Sequence, residues 1–174
     1  MASLSAPRVR RAYFDCRFGQ LHVHNAVPPG GGFDELTTVI CLHGAGETGR
    51  VFLPVLQVLG SNRSAFAPDL PGCGESDPAG DVDAVTAGTQ AVTDFVLSMR
   101  IRSFDLVARA RGCEIAQRLA QLPDTGLRRA VLIIDPLPGG QPPAGLGARL
   151  VATLPLGDAQ MPALGSRLVE ALRG

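Results

Sequence analysis

Residues 37–49 read TTVICLHGAGETG. The run from Thr37 to Leu42 is β-branched or apolar throughout, which suits a central strand buried on both faces of a sheet. The glycine-rich turn that follows ends the strand, and Val51 to Leu59 then resumes with helical spacing.

Working outward, Arg11 to Cys16 and Gln20 to Asn25 read as two short strands joined at Gly19, an opening hairpin in which Leu21 and Val23 alternate with His22 and His24. A Pro/Gly-rich loop at 27–33 separates this hairpin from the central strand. Ser64 to Pro68 predicts another strand, Asp81 to Met99 a helix with acidic residues near its start, Ser103 to Arg109 a strand, Cys113 to Leu122 a helix, and Arg129 to Asp135 a sixth strand. Strands that alternate with helices at this spacing imply βαβ units, hence a mainly parallel sheet covered on both faces. From Pro136 onward the chain is rich in Pro and Gly and predicts two amphipathic helices, near 146–154 and 162–172, with no further strand.

Composition narrows the function classes. Sixteen Lys and Arg balance sixteen Asp and Glu among 174 residues, so no basic field exists to gather nucleic acid or anionic membrane. The opening MASLSAPRVRRAYFDC has no apolar leader core, and no apolar run reaches the length of a bilayer span. A single soluble, cytoplasmic domain is the expectation, with a core at 11–135 and a helical segment at 136–174. Cys16, Cys41, Cys73 and Cys113 lie far apart with no C-x-x-C pair, so reduced thiols are expected rather than bridges or zinc ligands. No cofactor and no metal are expected; His22 and His24 share one side of a strand, but two histidines are a weak metal signal and solvated strand surface is the simpler reading.

Three motifs in order carry a resemblance. They are Leu42-His43-Gly44-Ala45-Gly46 after the third strand, Ala67-Pro68-Asp69-Leu70-Pro71-Gly72-Cys73-Gly74-Glu75-Ser76-Asp77 after the fourth, and Asp105-Leu106-Val107-Ala108-Arg109-Ala110-Arg111-Gly112-Cys113 at a strand-to-helix junction. Together they resemble the α/β-hydrolase superfamily, particularly its small bacterial esterases and carbon–carbon bond hydrolases. Neither G-x-G-x-x-G nor G-x-x-x-x-G-K-[ST] stands at these turns, which argues against a nucleotide site. The resemblance implies a doubly wound α/β-hydrolase-type sheet of about six strands with helices on both faces, truncated before the last two strands. It also implies an oxyanion-hole turn at His43 to Gly46 and a nucleophile elbow at Ala108 to Gly112.

The elbow of that family reads G-x-S-x-G, and its third position here is Ala110, whose methyl group cannot attack a carbonyl. The resemblance places a catalytic histidine late in the chain, yet none follows His43; Asp135, where some relatives carry the acid, then has no triad to join and reads as a strand-end or capping residue. The expectation is a member inactive as a serine hydrolase, serving as a small-anion-binding or protein-interaction module. Candidate ligand contacts are His43, Gly44, Ala45, Arg109 and Arg111, with Arg111 foremost; alternatively both arginines reach solvent or pair with Asp69, Asp105 or Glu114. Two other readings stand beside this one: an enzyme using Asp135, His43 or Cys113 on a small ester or carbon–carbon bond substrate, and a decayed product without a selected role. Cys113 is expected to be a small buried hydrophobe, His43 an anchor of its own turn, and Ser76 and Asp77 turn and cap residues. A sixth strand left at the edge must be shielded by the C-terminal helices or used in a homodimer.

Overall fold

The computed structural model describes residues 7–30, 36–134, 145–155 and 161–173. Seven strands form one sheet: β1 (Arg10–Cys16), β2 (Gly19–Ala26), β3 (Thr38–Leu42), β4 (Ala65–Pro68), β5 (Phe104–Arg109), β6 (Leu127–Ile134) and β7 (Leu150–Pro155), in the order β1-β2-β4-β3-β5-β6-β7. The opening hairpin is antiparallel, and β2 also runs antiparallel to β4. From β4 through β3, β5 and β6 to β7 every pairing is parallel.

Strand alternation sorts side chains into two cores. On one face Ile40, Leu42, Leu106, Ala108 and Leu132 pack with Phe95 and Ile115, which belong to α2 (Ala84–Ser98) and α3 (Arg111–Gln121). On the other, Val39, Cys41, Val107, Val131 and Ile133 pack with Leu56 and Leu168, from α1 (Leu53–Leu59) and α4 (Met161–Ala171). Helices therefore cover both faces, as the βαβ reading requires. Each fully buried aliphatic side chain here contributes about 1.5–3 kcal/mol from its removal from water. The start of α2 is set by Asp83, whose carboxylate accepts the Thr86 N–H at 3.0 Å, satisfying one of the orphan donors of the first turn.

The C-terminal segment departs from expectation. Residues 150–155 form a strand rather than the second half of a helix, and only 147–149 turn helically, as a single 3-10 turn. β7 pairs with β6 from Ala130 to Ile134, so the sixth strand is not an edge. Neither C-terminal helices nor a second copy are needed to shield it, which removes the β6 homodimer seam. The second expected helix is present as α4. Asp135 lies outside the described residues.

Candidate functional site at the elbow

The carboxyl ends of β3 and β5 bring the two central motifs together. β5 ends at Arg109, and Ala110 then takes φ +45° and ψ −123° before α3 begins at Arg111. A non-glycine residue in that region costs on the order of 1–3 kcal/mol. The strained strand-to-helix turn is thus retained with a methyl group at its tip, and Ala110 is exposed.

Two glycines allow this approach. A Cβ on Gly112 would lie 2.4 Å from the Leu42 carbonyl oxygen, and one on Gly44 would lie 2.9 Å from the Ala110 Cβ. The first clash is with backbone, which cannot move aside. The start of α3 therefore packs against the end of β3, and the turn at His43 to Gly46 sits beside the elbow.

His43 is wholly buried. Its Nε2 accepts the Leu70 backbone N–H at 2.9 Å, so the neutral ring carries its proton on Nδ1 and donates to the Gly44 carbonyl at 2.8 Å. Burial pushes its pKa down, against the opposing pull of the Gly44 carbonyl and of Asp69 and Glu47. With both nitrogens committed, His43 ties the β3 turn to the β4 turn and has no lone pair for a substrate. Its expected anchoring role matches this geometry.

One backbone donor of the His43 to Gly46 turn is already taken. Glu47, which the sequence reading passed over, folds back so that its Oε2 accepts the Gly44 N–H at 2.8 Å. Its other oxygen meets Arg109 Nη2 at 2.9 Å, with the two side chains 25% and 12% exposed. Arg109 is thus paired within the protein, and with none of the expected partners. Asp105 instead takes Arg128 and Arg129, at 3.3 and 3.1 Å. Arg111 is half-buried and has no ion pair among the described residues. Ala45 is exposed at the tip of the turn. The clue to Glu47 was present in the sequence, as an acid three positions beyond Gly44 inside the turn itself.

The remaining candidates have settled roles. Cys113 is 6% exposed, with its Sγ 3.4 Å from the Ala108 carbonyl oxygen, as a small buried side chain should be. Ser76 donates to the Asp69 carbonyl at 2.6 Å and accepts the His22 N–H at 2.9 Å, so its hydroxyl is locked in the turn. Asp77 accepts the Gln20 N–H at 2.7 Å. None of the four cysteines is in a disulfide. His22 and His24 are not solvated strand surface: they are 1% and 5% exposed, because the β4 turn folds over β2.

Residues 39–173 match the alpha/beta hydrolase family, and the chain belongs to that family. No curated protein matches by sequence. Among solved structures, an epoxide hydrolase from an endophytic Streptomyces is 21% identical with a TM-score of 0.63, covering 76% of this chain and 38% of its own. An epoxide hydrolase from Vigna radiata is 19% identical with a TM-score of 0.60, covering 80% and 45%. A haloalkane dehalogenase from Agrobacterium tumefaciens is 18% identical with a TM-score of 0.58, covering 72% and 40%. These likenesses establish the fold, and the chain spans less than half the length of each of these relatives. No helix among the described residues is long and apolar enough to cross a membrane.

Proposed function

We propose that this chain is an α/β-hydrolase family member inactive as a serine hydrolase, and that it holds a small carboxylate or phosphate on Arg111 above Ala110. The observation that carries the reading is the elbow itself, with its strained backbone kept and a methyl group at the nucleophile position. Glu47 supports it further, because its carboxylate occupies the Gly44 N–H and neutralises Arg109. One backbone donor of the turn beside the elbow is thereby spent on an intramolecular anion and is withdrawn from any substrate oxygen. Arg111 is left with its fork of donors available, the geometry that suits a bidentate carboxylate or phosphate. Cytoplasmic residence is part of the same proposal.

The alternative of a hydrolase with unorthodox residues is less well supported, since His43 has both nitrogens engaged and Cys113 is buried. Turnover of a p-nitrophenyl ester should not exceed the buffer rate. Calorimetry with small carboxylates and inorganic phosphate should give saturable heat that disappears in Arg111→Ala. Equal binding by that variant would remove Arg111 from the site.

A further inference from the structure

A second group of chemically capable side chains lies away from the elbow, where β2 meets the turn after β4. His22, His24 and Asp69 are each at least nine-tenths buried. His22 Nδ1 lies 2.9 Å from Asp69 Oδ2, and His24 Nε2 lies 3.9 Å from Asp69 Oδ1. One ring nitrogen from each histidine and one carboxylate oxygen all fall within 4.8 Å of one another.

The histidines are left with unspent capacity. Nε2 of His22 and Nε2 of His24 are both buried and have no hydrogen-bond partner among the described residues. Buried polar atoms without partners are uncommon in folded proteins, and an ion is one of the standard reasons for them. Two adjacent imidazoles sharing a carboxylate make the ion the economical explanation here.

We propose that His22, His24 and Asp69 form a binding site for a divalent transition-metal ion of the zinc class. Imidazole nitrogen with carboxylate oxygen is a donor set that such ions accept, and three protein ligands leave a fourth position open. The three ligands line a cavity of about 590 Å³ together with Arg11, Thr48, Arg50 and Glu75. Ligands on a tetrahedral ion at about 2.0–2.2 Å stand about 3.4 Å apart, so the ligand atoms, now within 4.8 Å of one another, must draw in by up to about 1.4 Å to share one centre. Asp69 is pre-oriented for this by the Gly49 N–H at 2.7 Å and the Glu75 N–H at 3.1 Å, the kind of outer support that metal-binding carboxylates use. Arg11 and Arg50 oppose a cation, but Arg50 is exposed and Arg11 is paired with Glu75 at 3.6 Å in solvent, where screening weakens the repulsion.

The test is calorimetric titration of the chelator-treated full chain with zinc chloride, under a phosphine reductant that keeps the cysteines reduced. The wild-type chain should bind one ion, with a thermal midpoint raised by zinc. His24→Asn, whose Nε2 makes no hydrogen bond among the described residues, should fold with unchanged circular dichroism and lose at least tenfold in zinc affinity, and His22→Asn should lose as much. No zinc uptake by the wild-type chain would overturn the site. So would a folded His24→Asn chain that binds zinc with the same stoichiometry and affinity.

Discussion

Glu47 Oε2 accepts the backbone N–H of Gly44 at 2.8 Å. This backbone donor in the turn after β3 is therefore satisfied by the protein's own carboxylate, and the same carboxylate reaches Arg109 on the elbow strand. One acidic side chain couples the β3 turn to the end of β5.

Removing that carboxylate should loosen both ends of the link. Glu47→Ala unpairs an Arg109 guanidinium whose Nε is already buried without a partner among the described residues. The ion pair is mostly but not wholly buried, so the expected loss is about 1–3 kcal/mol, below that of a fully buried pair. Urea unfolding at neutral pH measures it. A midpoint unchanged from wild type would mean that Glu47 does not hold the two turns together.

The elbow stores strain without using it. Ala110→Gly should stabilise the fold by about 1 kcal/mol, because glycine accepts a positive φ without the cost that alanine bears, which outweighs its greater freedom when unfolded. Thermal unfolding of the two proteins side by side shows the difference. A lower midpoint for the glycine variant would contradict the strained geometry.

Gly112→Ala should act in the opposite direction. Its new Cβ would stand 2.4 Å from the Leu42 carbonyl oxygen, so α3 must move away from β3. We expect a loss of about 3 kcal/mol, at the top of the usual range for forced overpacking because the clash is with backbone. Denaturant titration with wild-type-like midpoint would show that the junction is looser than described.

The pH dependence follows from two histidines. Burial holds the pKa of His43 and of His24 below the ordinary histidine value. A group depressed in the folded state resists protonation there, so its stabilisation is complete above about pH 6.5 and is lost as the pH falls below that value. Asp69 adds a further loss at more acid pH. Burial raises its pKa, but the N–H bonds from Glu75 and Gly49 and the His22 contact outweigh that and leave it lowered overall. Denaturant midpoints measured from pH 8 to pH 4 should be flat at first and then decline below about pH 6.5. His43→Gln should flatten the first part of that decline while lowering stability throughout.

Much of the architecture was legible in local pattern. The uninterrupted run before His43 announced β3, and the three motifs placed the turns at His43, Asp69 and Ala110 where they are found. The segment at 150–155 was harder to read, because Leu146, Leu150 and Leu154 repeat at helical spacing. Val151, Thr153 and Pro155 pull the other way, and the open edge of β6 settles the matter through hydrogen bonds that no local pattern encodes. At the site, the loss of the nucleophile was plain from one residue. The Glu47 clasp and the burial of His22 and His24 depend on which loops fold over which strands. A strand histidine beside polar neighbours reads as solvated until the β4 turn closes over it.

On the proposed reading, the elbow presents no group able to form a covalent bond with an electrophilic substrate. Intact-mass spectrometry after incubation with a fluorophosphonate and with an activated ester tests it most directly. The mass of the whole chain should stay unchanged. A stoichiometric adduct mapped to the elbow, within residues 108–113, would show the opposite.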